Sequence, residues 1–371
     1  MTKYCFGDLV RNCKEKIDRD NNPYEYFVAG DHMETERPRL TMRGRFDESD
    51  VGPAFIRLFR SGQVLYGSRR TYLKKVSVPD FDGITSNVTF VLETKDEEIL
   101  PQRLLPFILL SDQFTAYSIG KSKGSTNPYV LFSDLAEFEI DLPGKDRVAE
   151  IADIMCAAEE VKERYRSLLA TCDDVVKSQF VEMFGEPAEN PKGWETSSLT
   201  SLGSCKNGMN FKSKESGIEL PCLGVGDFKD RSVINDVSEM GRINLDDEPA
   251  EGYFLKDGDI VFVRSNGNKE LVGRCLAVYP HGEKAVFSGF CIRLRVESDK
   301  VRIPYLIWAL KQPSMRQQMF GRGANVQNLN QKLMAKVDVP IPPLAEQDRF
   351  LALVSIVDKS KFTLGSADAT P

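Results

Sequence analysis

The sequence predicts an α/β (α+β) fold in which two repeated domains are separated by long antiparallel coiled-coil helices with a pseudo-two-fold relation. Three observations lead there. One uninterrupted amphipathic stretch lies near the middle of the chain, from Lys145 to Phe184. Short motifs before it return after it in unchanged order. Within each copy, strand-like runs rich in β-branched and aromatic residues alternate with helical spacing.

The central stretch places Val148, Ile151, Met155, Ala158, Val161, Tyr165, Leu168, Cys172 and Val175 at steps of three and four residues. That spacing keeps one apolar stripe on one side of a helix. No Gly or Pro interrupts it, and Gly185 and Pro187 stop it. At about 1.5 Å per residue, ~40 residues give a rod roughly 60 Å long. A rod with a single apolar seam needs a partner helix, so the stretch is expected to be a coiled-coil spacer.

The first copy, 1–143, opens on FGDL (6–9). Strand-like runs follow at 24–30, 61–67, 74–80 and 87–93. Residues 99–120 read as a helix after a proline-initiated turn, 121–128 as a loop and 135–143 as a strand. After the spacer (144–184) and a Pro/Gly linker (185–193), the second copy occupies 194–343. There FGDL returns as LTSL (199–202) and FVAGD (27–31) as LGVGD (223–227). FRSGQVLYGSR (59–69) returns as LKDGDIVFVRS (255–265), LLPFIL (104–109) as RIPYLI (302–307), and FEIDLP (138–143) as VDVPIP (337–342). A shorter second helix is expected at 344–362, with Phe350, Leu353 and Val357 as its stripe, and a flexible tail at 363–371.

A chain of 371 residues suits two or three domains with cores of their own. No run approaches 18 apolar residues and the N-terminus carries no signal-peptide core, so a cytoplasmic protein is expected. Eight cysteines without a CxxC read as reduced thiols, and two histidines make a metal site a poor fit. The net charge of −6 is unevenly spread. Residues 36–75 hold ten basic against four acidic side chains, whereas 134–189 hold fifteen acidic against six basic. A polyanion-facing head on an acidic stalk fits that distribution.

Catalytic motifs fail one by one. Gly120-Lys121-Ser122 imitates the end of a P-loop, but Thr115 stands where its first glycine belongs. Gly224-Val225-Gly226 hints at an S-adenosylmethionine loop, but no N-P-P-Y accompanies it. Asp80, Glu93 and Lys95 fit a PD…ExK nuclease spacing that the second copy lacks, and they define an alternative reading as a stand-alone Mg²⁺-dependent nuclease. No cofactor is called for. What remains is recognition chemistry on matched loops: Arg69, Arg70, Tyr72, Lys74, Lys75, Lys121 and Lys123 in the first copy. In the second copy the set is Lys206, Asn207, Arg264, Asn266, Lys269, Arg322 and Asn325. Arginine can hold guanine through two hydrogen bonds, asparagine can hold adenine, and lysine suits phosphate. Double-stranded DNA is the expected ligand; a bivalent protein-binding adaptor is the reading without DNA.

SQFVEMFG (178–185), the N-P-x-G-W that follows (190–194) and VDVPIPPLAEQ (337–347) resemble the specificity subunit of type I restriction-modification systems, as does KDGDIVFVRS (256–265). The resemblance covers nearly the whole chain. It implies two target-recognition domains, each reading one half of a bipartite DNA site. It also implies helices that dock two modification subunits, which methylate adenine with S-adenosylmethionine, and restriction subunits that add ATP-driven translocation and cleavage. The subunit itself would be non-catalytic. Two departures stand out: the first copy enters its helix through Leu142-Pro143-Gly144-Lys145-Asp146, and the second helix stops near Phe362 where the family's usually matches the first in length.

Overall fold

The computed structural model describes residues 1–18, 21–49, 51–211, 217–228, 231–319 and 328–366, without the side chains of 269 and 362–366. The chain divides into two compact units, Met1–Tyr165 and Arg166–Pro371, and the division falls inside the central helix.

The first unit begins with β1 (Thr2–Cys5), a single turn α1 (Phe6–Leu9), β2 (Val10–Cys13), β3 (Tyr26–Val28) and β4 (Gly44–Arg45). It continues with β5 (Phe55–Phe59), β6 (Val64–Gly67), β7 (Val76–Ser77), β8 (Gly83–Ser86) and β9 (Thr89–Thr94). Then come α2 (Leu105–Leu110), α3 (Asp112–Gly120), α4 (Phe132–Ala136) and β10 (Glu139–Leu142). Two four-stranded sheets, ordered β2-β9-β6-β7 and β4-β3-β8-β5, accompany an antiparallel β1-β10 pair. Phe6, Val64, Tyr66, Leu92, Leu105 and Phe114 fill the main core. The stretch expected as one helix at 99–120 is broken: Ser111 is extended (φ −60°, ψ 147°) and its hydroxyl accepts the Phe114 N–H, capping a new helix. The strand expected at 135–143 is α4 followed by the shorter β10.

The central helix α5 runs Lys145–Phe184. Its inward face differs from the seam read off the sequence. Val148 and Ala152 are buried in the first unit, and Val176, Phe180 and Phe184 in the second. Met155, Val161, Leu168 and Val175, expected in the seam, are exposed. The two stripes lie only about 100° apart on the helix, so spacing alone does not separate them. Mid-helix, Glu163 is 8% exposed and takes two hydrogen bonds from Arg37, at 2.9 and 2.6 Å, which offsets the cost of burying its charge. The helix ends at Gly185, whose φ of +78° suits glycine, and Trp194 donates its indole N–H to the Phe184 carbonyl (3.3 Å). Asn190 brackets Trp194 with two hydrogen bonds of 2.8 and 3.0 Å. The N-P-x-G-W string is therefore a helix stop.

The second unit carries β11 (Thr196–Ser198), β12 (Gly203–Asn207), β13 (Ile218–Leu223), β14 (Val233–Ile234) and β15 (Gly241–Leu245). It goes on through β16 (Asp259–Val263), β17 (Cys275–Val278), β18 (Val286–Phe287) and β19 (Cys291–Val296). The helices α6 (Ile303–Lys311), α7 (Pro313–Gln318) and α8 (Gln331–Met334), the strand β20 (Asp338–Pro340) and α9 (Leu344–Ser366) complete it. Its sheets run β12-β19-β16-β17-β14 and β15-β13-β18, beside an antiparallel β11-β20 pair. In the first unit β3 pairs antiparallel with β4 and parallel with β8; in the second β13 pairs antiparallel with β15 and parallel with β18. Gln312 is extended between α6 and α7, as Ser111 is between α2 and α3.

Phe180 and Phe184 meet Phe350 of α9 with ring centroids 5.3 and 5.5 Å apart, and both stand against Tyr305 of α6. Lys361, further along α9, pairs with Asp173, earlier along α5, so these two segments run antiparallel within the second unit. Gln347, fully buried, donates to the Pro342 and Lys300 carbonyls (2.7 and 3.0 Å) and accepts the Arg302 N–H (2.8 Å). The P-P-L-A-E-Q motif thus locks the entry to α9. That helix continues to Ser366, past the 362 expected from sequence and into the stretch expected to be a flexible tail.

Candidate DNA interface

In the first unit the chain leaves β6 and turns through 68–75. Arg70 (φ +50°) and Lys74 (φ +46°) adopt left-handed backbone on either side of one 3₁₀ turn, a conformation that non-glycine residues hold only when neighbours enforce it. The loop 121–130 enforces it. Arg70 donates its backbone N–H to the Pro128 carbonyl (2.7 Å) and its Nε to Asn127 Oδ1 (3.2 Å), and the Val130 N–H reaches the Ser68 carbonyl (2.9 Å). Tyr72, 53% exposed, lies within the 3₁₀ turn. A cavity of about 310 Å³ opens beside it, with Arg69, Arg70, Lys75, Thr89 and Asn127 in its wall.

The candidates of this unit divide by what they touch. Arg69 and Arg70 are exposed, and Arg69 makes no ion pair among the described residues. Lys74 is clamped between Glu36 (2.8 Å) and Asp112 (3.0 Å), whose hydrogen bonds raise its pKa. Lys75 donates to the Gly30 carbonyl. Lys121 pairs with Glu137 and Lys123 with Asp134, both at 2.8 Å. These four lysines hold the platform together, and the two arginines stand at its surface.

In the second unit Arg264 follows β16 and joins three segments. Its backbone N–H donates to the Phe290 carbonyl (2.8 Å), its carbonyl accepts the Leu329 N–H (2.9 Å), and Nη1 donates to the Gly289 carbonyl (3.0 Å). Its Nε is buried without an acceptor. Asn266 spends its side-chain oxygen on the Asn268 N–H (2.8 Å) in a local turn. Lys206 lies over the Tyr253 ring (4.2 Å), and Asn207 is exposed at the end of β12. Gly208 passes so close to the Ser288 carbonyl that no Cβ would fit. The side chain of Lys269 and the whole of Arg322 and Asn325 lie outside the described residues. Sequence reading passed over Phe290, a 60%-exposed aromatic between the carbonyls of Gly289 and Cys291, because a lone Phe among turn residues carries no pattern.

Two of the three nuclease candidates are otherwise engaged, and the third, Asp80, is exposed. Glu93 accepts from Arg11 (2.7 Å) and Gln63 (2.9 Å), and Lys95 donates to the Gly7 carbonyl (2.6 Å). Among the described residues no group of three His, Cys, Asp or Glu side chains could hold a metal ion, and no helix is long and apolar enough to cross a membrane.

The chain has the fold of type I restriction-modification S subunits. It superposes on one chain of a type I R-M system with a TM-score of 0.55 at 19% identity, covering 99% of this chain and 93% of the other. The S subunit from M. genitalium gives 0.53 at 16% identity, covering 99% and 91%. Residues 191–367, a little under half of the chain, match the type I restriction modification DNA specificity domain. The StySPI specificity subunit of Salmonella potsdam is 29% identical over 160 residues, which is 42% of this chain and 34% of that protein. The MjaX specificity subunit of Methanocaldococcus jannaschii is 27% identical over 179 residues, 47% of this chain and 41% of the relative. The EcoKI specificity subunit of Escherichia coli K12 is 28% identical over 151 residues, 39% and 32%. The matched stretches span well under half of these relatives' length. The resemblance carried by SQFVEMFG and P-P-L-A-E-Q is borne out.

Proposed function

We propose that the chain is the DNA-recognition subunit of a type I restriction-modification complex, each unit reading one half of a bipartite duplex site. The observation that carries this is the specificity-domain match over 191–367, joined to a first unit whose strand pairings follow the same order. In this reading the two units are a duplicated pair of target-recognition domains and α5 with α9 is the spacer. The relatives named above support the remaining roles. The helices dock methyltransferase subunits, restriction subunits join through the complex, and the chain performs no catalysis of its own in a cytoplasmic setting. Phosphate contacts fix register and loop residues such as Arg69 and Arg70 select bases.

The test is sequencing of modified adenines in host DNA with and without the gene. A bipartite methylated motif that vanishes on deletion is expected; an unchanged methylome overturns the proposal. Mg²⁺-dependent cleavage by the isolated chain would instead favour the nuclease reading through Asp80, Glu93 and Lys95. Against that stands the engagement of Glu93 by Arg11 and Gln63.

A further inference from the structure

In the second unit three segments of chain meet at Phe290, whose side chain is 60% exposed. Its carbonyl accepts the N–H groups of Arg264 (2.8 Å) and Ser265 (3.2 Å), and its own N–H donates to the Ser288 hydroxyl (3.3 Å). Gly289 before it donates its N–H to the Met209 carbonyl (2.7 Å) and accepts Arg264 Nη1 (3.0 Å). Cys291 after it accepts the Gly208 N–H (3.0 Å). A single exposed apolar side chain is ordinary on a protein surface. This one differs because the backbone is fixed on both sides of it. Arg264 uses its guanidinium to brace the turn, and the side chain that the turn presents is a phenyl ring.

Strand register identifies the same position in the first unit. Gly67 pairs with Thr89 there and Val263 with Cys291 here, which makes Val88 the counterpart of Phe290. The hydroxyl of Ser68 donates to the Val88 carbonyl, as the N–H of Arg264 does to that of Phe290. Ser68 and Arg264 each accept an N–H from a loop further along the chain, at Val130 and Leu329. Val88 lies in the wall of the cavity that carries Arg69, Arg70 and Lys75. The first unit also sets exposed rings near those arginines: Tyr129 is bridged to Arg69, and Tyr72 follows Arg70 in the 3₁₀ turn. An aromatic side chain cannot neutralise a phosphate. Every base, however, has a ring face, and thymine has a methyl group, that a phenyl ring can cover.

We propose that Phe290 is a base-contacting residue of the second unit, covering the apolar surface of one base in the half-site that this unit reads. The assignment rests on the recognition role proposed above. Because the contact carries no charge, it adds sequence preference without adding salt dependence.

Phe290→Ala and Phe290→Tyr are compared with the unaltered full chain on two duplexes, one carrying the methylated motif and one of unrelated sequence. The side chain is exposed, so the fold should be kept, and circular dichroism checks it. Phe290→Ala is expected to weaken binding to the motif about 5- to 150-fold, the scale of one lost base–aromatic stack, with the slope of log K against log salt unchanged. Phe290→Tyr keeps the ring and should keep most of the affinity. Single base-pair changes in the second half-site should find one position that the unaltered chain discriminates and Phe290→Ala does not. Replacing thymine by uracil at that position tells a methyl contact from a stacked base. A folded Phe290→Ala chain that binds the motif as tightly as before, that weakens equally on both duplexes, or that changes the salt slope overturns the proposal. An unaltered chain that prefers neither duplex sinks the recognition role, and the base contact with it.

Discussion

Arg264 shows how a residue chosen for its chemistry can be claimed by its surroundings. Its guanidinium turns to the Gly289 carbonyl and its backbone ties in Phe290 and Leu329. Arg264→Ala is therefore expected to destabilise the second unit by about 1–3 kcal/mol, the range for a charge-assisted hydrogen bond. It should weaken the whole second half-site more than one base within it, measured by thermal unfolding and by binding to single-base site variants. The first unit offers a contrast between cations. Arg69→Gln should cost about 1–3 kcal/mol of binding and relax the preference at one base, while Lys74→Gln, which removes a residue already held by Glu36 and Asp112, should leave binding and its salt dependence unchanged. Anisotropy titrations across salt concentrations and single-base site variants check both. Among the thiols, burial pushes Cys222 and Cys275 up to about 12 and raises Cys291 as well. Native labelling with iodoacetamide near pH 8 should thus spare these three, which react after unfolding, while exposed Cys5 is modified. Native labelling of Cys275 would contradict this packing.

At the scale of elements, α5 is decided by what it packs against. Its sequence offers a regular seam through Met155, Val161, Leu168 and Val175, yet the buried face runs through Val148, Ala152, Glu163, Val176, Phe180 and Phe184. Three aromatic rings explain the second-unit end. Phe180, Phe184 and Phe350 bury more area together than valines and leucines at the other positions could. Phe180→Ala and Phe350→Ala should each cost about 3–5 kcal/mol. The double variant should lose less than the sum, since each ring packs on the other. Denaturant unfolding measures the cycle, and strict additivity would mean that the rings do not support each other. By contrast Met155→Gln or Leu168→Gln should leave the stability of the isolated chain within about 0.5 kcal/mol, because both side chains are exposed.

For the molecule as a whole, the proposal makes recognition modular. Replacing 194–336 with the matching segment of a relative should change one half of the methylated motif and leave the other half intact. Adding one heptad within α5 lengthens the helix by about 10 Å, or roughly three base pairs at ~3.4 Å each, and should widen the gap between half-sites accordingly. Methylome sequencing reads both outcomes, and simultaneous change of both half-sites would show that the two units do not read independently.

The sequence by itself determined whatever is written in neighbouring residues. The extent of α5, its stop at Gly185, the order of motifs before and after it, and the family resemblance all rest on contiguous strings or fixed spacings. Even there, local period left Ser111 unread, because one extended residue capping the next turn changes no hydrophobic pattern. The tertiary structure alone decided which face of α5 is buried and that Glu163 could be buried with it, since its partner Arg37 lies 126 residues away. It also decided that Lys74, Lys121 and Lys123 are held by carboxylates, and that Phe290 stands exposed on a turn tied to Arg264. The physical reason is common to these cases. A side chain's type and spacing fix what it can do, but which distant partner satisfies its charge or covers its apolar surface is set by chain crossings that no local period records.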